Sequence, residues 1–217
     1  GAKVTIPHKE AVIPFLDAVD PAAARIGAVN TIVVQDGRLQ GSNTDGFGFL
    51  ENLKAGAPAW RADAGPVVVV GAGGAAKAVA WALIDAGVPA LRIVNRTRAR
   101  ADGLAQALGA TASAVDWSAR AEALREAALV VNTTALGMSG KPTLDLDLTH
   151  LPGAAVVNDI VYQPAETPLL VAARARGHLA VEGIGMLLHQ ARPGFRAWFG
   201  VDPDVDADLR QHVLAGD

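Results

Sequence analysis

Cysteine is absent from the 217 residues, which removes disulfides, thiolate metal centres and thiol nucleophiles at once and fits a reducing, cytoplasmic setting. Long basic runs are also missing, and the formal net charge is −3. That balance points away from nucleic acid or an anionic membrane surface and toward small soluble ligands. Apolar runs stop at strand length, broken by charge or glycine, so no membrane span is expected. The first residues carry neither an initiator Met nor a signal-peptide pattern. Gly1-Ala2-Lys3-Val4-Thr5-Ile6-Pro7 reads instead as a strand already under way, which predicts further chain upstream. Hydrophobic residues, at 51%, are plentiful enough to bury a substantial core in one large domain or two modest ones.

The most informative stretch is Val67-Val68-Val69-Val70-Gly71-Ala72-Gly73-Gly74-Ala75-Ala76-Lys77, an apolar strand running into a glycine-rich turn that opens a helix. Gly71 permits the tight turn, Gly73 lets backbone approach a pyrophosphate, and Ala76 occupies the third position, where a small residue lets helix pack on strand. The helix then offers its first amides to an anion. A second apolar strand, Leu91 to Val94, ends at Asn95-Arg96-Thr97-Arg98-Ala99-Arg100, roughly 20 residues on, where NAD-specific domains place an acid for the ribose 2′-hydroxyl. An arginine stands there instead. A guanidinium suits a 2′-phosphate through paired charge-assisted hydrogen bonds, and the expected cofactor is NADP. Arg98 and Arg100 fit a solvated helix start equally well.

Strands expected at Val67–Val70, Leu91–Val94, Leu129–Asn132 and Ala154–Asp159 alternate with helices at Lys77–Ala86, Ala99–Leu108 and Ala121–Ala127, the rhythm of a doubly wound parallel sheet. Before it lies a smaller α/β unit. It holds a strand near Lys3–Ile6, helical stretches from Lys9 and from Pro21, and strands Ala28–Val34 and Arg38–Gly41 around Asp36-Gly37, a hairpin signal. A helix from Gly46 to about Trp60 follows, and helices Met186–Trp198 and Ala207–Leu214 close the chain. The predicted architecture is therefore α/β, a doubly wound Rossmann domain over 47–185 plus a smaller substrate domain over 1–46, with 186–217 returning to the latter.

Polar residues cluster at strand ends of the first unit: Thr5 to Lys9, Gly27 to Thr31 and Gly41 to Asp45. A ketone accepting hydride needs a proton donor, and a Lys beside a carboxylate can serve. Lys9 with Asp45 is the obvious pair, although Lys9 also reads as an ordinary helix residue and Asp45 as a helix cap. His8 reads as a surface or packing residue.

Val-Thr-Ile-Pro-His-Lys (Val4 to Lys9), Gly-Ala-Val-Asn-Thr (Gly27 to Thr31), Asn-Thr-Asp-Gly-Phe-Gly (Asn43 to Gly48), Gly-Ala-Gly-Gly-Ala-Ala (Gly71 to Ala76) and Asn-Arg-Thr (Asn95 to Thr97) together resemble the shikimate dehydrogenase family. Asn132 to Met138, Asp159 to Pro164, Thr167 to Leu170, and Gly185-Met186-Leu187 with Gln190 resemble its later signatures. The resemblance runs the length of the chain. It implies reversible reduction of 3-dehydroshikimate to shikimate, with Lys9 as acid/base and Asp45 as its partner. Thr5, Asn30 and Gln190 would contact substrate, and Tyr162 would line the same cleft. Gly71, Ala72, Gly73, Gly74 and Ala75 would hold the pyrophosphate, and Asn95, Arg96 and Thr97 the 2′-phosphate. Thr133, Met138 and Gly185 would flank the nicotinamide half, though on its own Met138, like Met186, reads as packing. No metal is implied, and the expected assembly is a monomer or homodimer. Without the resemblance, Asn30 reads as a turn cap, Gln190 as a surface amide and Tyr162 as packing.

Two features depart from the family's pattern. The upstream strand–helix units with their Ser-x-Ser element are not in this sequence, and Lys3 stands where the family usually has Asn or a small polar residue. Lys3 is open to two readings, a cation aimed at a carboxylate substrate or a side chain pointing outward. Two further readings of the whole chain stand beside the first: a quinate/shikimate dehydrogenase of broader cofactor use, and a noncatalytic NADP-binding regulatory protein. An inactive fragment of the enzyme is a third.

Overall fold

A computed structural model describes residues 1–5 and 7–216. Its centre is the run of four valines. All of Val67–Val70 is buried, so side chains pointing to both faces leave water, the signature of a strand inside a parallel sheet. This strand, β5, lies between Leu91–Val94 (β6) and Leu129–Asn132 (β8) in a sheet of six parallel strands. Ala112–Val115 (β7) continues one edge, and Val156–Asp159 (β9) and Leu179–Val181 (β10) continue the other. The order β10-β9-β8-β5-β6-β7 reverses direction between β5 and β8. A crevice opens at that switch point, beyond the carboxyl ends of the strands.

Alternate valines feed two separate cores. Val67 and Val69 pack with Leu83, Ile93 and Val131 beneath Gly74–Asp85 (α4), and Val68 and Val70 pack with Val130, Val157 and Leu170 on the opposite face. Each fully buried valine or leucine contributes roughly 1.5–3 kcal/mol, and the sheet is held rigid from both sides.

The first part of the chain forms a small mixed sheet in the order β1-β3-β4-β2, made of Ala2–Lys3 (β1), Ala18–Val19 (β2), Thr31–Gln35 (β3) and Arg38–Ser42 (β4). The Asp36-Gly37 hairpin forms as expected, with φ of 51° and 75°, the doubly left-handed geometry that Asp-Gly accommodates. Short helices His8–Ala11 (α1) and Pro21–Ile26 (α2) complete this unit.

Helix Asp45–Gly56 (α3) bridges the two sheets. It packs against α4 and against Ile184–His189 (α7), and glycine makes the approach possible. A Cβ on Gly48 would lie 2.7 Å from the backbone N of Gln190, and one on Gly185 would lie 1.9 Å from Asn52 Oδ1.

Several expected elements differ. The helix over 121–127 is replaced by two single 3₁₀ turns, Trp117–Ala119 and Glu122–Leu124. There the Arg92 guanidinium takes the carbonyls of Ala123 and Arg125; a helix would need the first of these for the Ala127 amide, which bonds to the Leu124 carbonyl instead. The helix over 186–198 is two helices, α7 and Arg192–Phe199 (α8), because Pro193 has no N–H to offer the carbonyl of His189. The helix after Gly46 stops at Gly56. Strand β1 is shorter than the strand expected over Lys3–Ile6, and Ile6 lies outside the described residues. Four strands and α-helices lie outside the sequence expectations: β2, β7, β10 and Pro168–Ala175 (α6), the last capped by the Thr167 hydroxyl. Ala207–Ala215 (α9) ends the described chain.

Candidate active site

Between the small sheet and the carboxyl end of the large one lies a cavity of about 320 Å³ whose lining includes Thr5, Lys9, Asn30, Asp45, Tyr162 and Gln190. All six residues expected to meet substrate or carry chemistry converge there, from segments up to 185 positions apart (190 − 5).

The wall is built outward from Asn30, which is 1% exposed. Its Nδ2 donates to Asp45 Oδ1 at 2.7 Å, and its Oδ1 accepts from the Thr31 hydroxyl at 2.8 Å and the Thr44 amide at 3.0 Å. Lys9 Nζ donates to the other oxygen, Asp45 Oδ2, at 2.6 Å. Asp45 is the first residue of α3 rather than its cap; Thr44 holds the N-cap position and makes no side-chain capping bond. The helix terminus favours its negative charge, and the Asn43 side chain accepts the Asp45 amide at 3.0 Å. The carboxylate is thus fixed at both oxygens. Lys9 is fixed at one bond and keeps a side-chain exposure of 26% toward the cavity. Opposite, Gln190 folds its side-chain amide back onto the Leu187 carbonyl at 2.9 Å, and its main-chain carbonyl accepts the Thr44 hydroxyl at 2.7 Å.

Lys3 points inward. Its Nζ reaches Thr31 Oγ1 at 2.9 Å and Thr44 Oγ1 at 3.2 Å. Enclosure by the cleft lowers its pKa from 10.5 to about 8; Asp45 pulls it back up and Lys9 presses it further down.

At the switch point itself is a second cavity of about 540 Å³ lined in part by Gly71, Gly73, Asn95, Arg96 and Thr133, and Ile160 of the first cavity bonds to the carbonyl of Asn132 beside that Thr133. Gly71 has φ of 119°, and a Cβ there would strike Thr133 Oγ1 at 2.4 Å. Around Gly73 and Gly74 nothing lies within 4 Å of the position a Cβ would take. The first amides of α4 are also left without a side-chain cap. This is an open cradle at a helix N-terminus, the arrangement that holds a pyrophosphate. Arg96 is exposed and makes no ion pair among the described residues, whereas Arg98 is committed to Asp102 and Asp116. Lys141 and Trp117, unremarked in the sequence, line the same cavity; both come from irregular segments with no pattern to flag them. Of the residues expected beside the nicotinamide, Thr133 lines this cavity. Met138 is exposed, and Gly185 sits against Asn52 and lines a separate groove on the far side of α3 and α7. Gly183, Ile160 and Leu187, also unremarked individually, line the smaller cavity.

Family models match in three places: "Shikimate dehydrogenase substrate binding domain" over residues 1–32, "Shikimate / quinate 5-dehydrogenase" over 59–139 and "Shikimate 5'-dehydrogenase C-terminal domain" over 183–211. A shikimate dehydrogenase (NADP(+)) of Paramagnetospirillum magneticum is 59% identical across 99% of this chain and 78% of its own length. This chain belongs to the shikimate dehydrogenase family. The corresponding protein of Rhodospirillum rubrum is 58% identical, over 99% of this chain and 77% of its own. Among solved structures, the family's shikimate 5-dehydrogenase from Thermus thermophilus, in complex with NADP(H) and shikimate, superposes with a TM-score of 0.85 at 40% identity, covering 99% of this chain and 77% of that one. Quinate dehydrogenase from Corynebacterium glutamicum in complex with NAD superposes with a TM-score of 0.90 at 38% identity, over 98% and 77%. The fold is thus shared by members that differ in substrate and cofactor.

Proposed function

We propose that this chain interconverts 3-dehydroshikimate and shikimate using NADP(H). The observation that carries the chemistry is the Lys9–Asp45 ion pair, held at 2.6 Å on the wall of a cavity that adjoins the glycine cradle. NADPH supplies the hydride when bound. Lys9 donates a proton to the ketone oxygen as the carbonyl carbon is reduced, and takes it back from the hydroxyl in the oxidative direction. Asp45 holds the Lys9 amine toward that oxygen, and Asn30 holds Asp45. Thr5, Asn30, Tyr162 and Gln190 bind substrate oxygens. Gly71 to Ala75 take the pyrophosphate, Asn95, Arg96 and Thr97 the 2′-phosphate, and Thr133 borders the nicotinamide. The cradle fits a dinucleotide because its amides are uncapped and its surface is free of side chains. The unpaired Arg96 favours NADP over NAD.

The division of labour follows the two sheets: 1–46 supply the substrate wall, 47–185 the cofactor half, and 186–217 return to the wall through Gln190. No helix among the described residues is long and apolar enough to cross a membrane; absence of cysteine supports a cytoplasmic setting, and a monomer or homodimer is the assembly we propose. The near superposition on an NAD-bound quinate dehydrogenase supports one second reading, a quinate/shikimate enzyme of broader cofactor use. Mass spectrometry after incubation with shikimate and NADP+ tests the activity. The expected product is lighter by two hydrogens; shikimate recovered unchanged contradicts the proposal.

A further inference from the structure

The substrate cavity contains two lysine amines and one carboxylate, and each oxygen of the carboxylate already has a partner. Asp45 gives Oδ2 to Lys9 and Oδ1 to Asn30. Lys3 is left with neutral partners only. Thr31 spends its single hydroxyl proton on Asn30 Oδ1 at 2.8 Å, and Thr44 makes its shorter hydroxyl contact to the Gln190 carbonyl at 2.7 Å. Each hydroxyl therefore has lone pairs to offer Lys3, which takes them at 2.9 and 3.2 Å. An ammonium has three N–H groups. The third makes a long bond, 3.4 Å, to the main-chain carbonyl of Gln190, which also accepts the Thr44 hydroxyl at 2.7 Å. Among the described residues this positive charge thus lines the cavity with no anionic hydrogen-bond partner, and one of its N–H groups is only loosely held. With its pKa near 8, the group is predominantly charged at pH 7.

We propose that Lys3 is a substrate-binding and specificity residue, turning the N–H that holds the Gln190 carbonyl at 3.4 Å toward an oxygen of the substrate from the Thr31–Thr44 side of the cavity. This rests on the functional reading above, and it adds a contact that neither the Lys9–Asp45 pair nor the cofactor cradle provides. The two hydroxyls preset the amine's direction, so little side-chain freedom remains to be lost when substrate arrives. A charge-assisted hydrogen bond in a partly enclosed site is worth enough to move binding by about tenfold or more. The substrate oxygen is either the carboxylate or a ring hydroxyl, and the two sources separate experimentally.

The test is steady-state kinetics of the full chain and of Lys3→Met, with shikimate and with shikimate methyl ester as substrates. Lys3 lies on a short edge strand, and unchanged NADP affinity in the variant certifies that the fold is intact. The expected result is a rise of about tenfold in KM for shikimate, with kcat and the KM for NADP nearly unchanged. A penalty that vanishes with the ester identifies the carboxylate as partner, and one that persists identifies a ring hydroxyl; either supports the proposal. An unchanged KM for shikimate, or a fall in kcat at constant KM, overturns it. Absence of turnover in the parent chain would instead count against the functional reading on which it rests.

Discussion

The two sides of the cleft are made from different materials. On the cofactor side the work falls to backbone: a glycine turn, the uncapped amides of α4 and an open surface around Gly73 and Gly74, with Arg96 and Lys141 as charges that make no ion pair among the described residues. On the substrate side it falls to side chains from α1, β3, α3 and the end of α7, joined through Asn30, Asp45, Lys9 and Thr44. Backbone sites are local in sequence and tolerate neighbours, whereas a side-chain network is assembled over long range and fails when one member is lost.

That contrast can be broken most sharply at Lys9. Lys9→Ala should lower kcat by about a hundredfold to ten-thousandfold while leaving NADP affinity unchanged by titration. Turnover that survives would remove Lys9 from the chemistry. Next in size, Arg96→Ala should raise the KM for NADP by about tenfold to a hundredfold and leave the KM for NAD nearly unchanged, measured by initial rates. Equal loss with both cofactors would mean that Arg96 does not read the 2′-phosphate.

Asn30→Ala tests the network as a network. It strips Asp45 Oδ1 and the Thr44 amide of buried partners and should cost about 1–3 kcal/mol in denaturant unfolding, together with a loss of kcat that NADP affinity does not share. A smaller change is expected at the surface pair Lys54–Glu51. Lys54→Ala should shift stability by less than about 0.5 kcal/mol and alter neither half of the site. A larger effect there would mean that α3 transmits strain between the sheets.

The same contrast explains what could be read from the chain before its structure. The glycine turn, the arginine at the end of β6 and the parallel sheet were legible because each is written in a contiguous segment with its own period or turn chemistry. Lys9 and Asp45 were legible as a pair mainly because chemistry asked for one; their contact depends on Asn30, whose role as the hub had no local signal. The direction of Lys3 could not be read, since it is set by Thr31 and Thr44 across the small sheet. β7 was missed because Ala-Ser-Ala-Val is weakly apolar, and α6 was missed although Thr167-Pro168 is a helix-start signal. The undivided helix over 186–198 overlooked what Pro193 does to the carbonyl four residues back.

The most direct test of the account is the change in nicotinamide absorbance when the full chain meets NADP+ or NAD+, each with shikimate or quinate. The account predicts the fastest reduction with NADP+ and shikimate, and a marked drop when either the cofactor or the substrate is exchanged. Comparable rates with NAD+ would contradict the reading of Arg96. Turnover of quinate in preference to shikimate would contradict the reading of the side-chain wall.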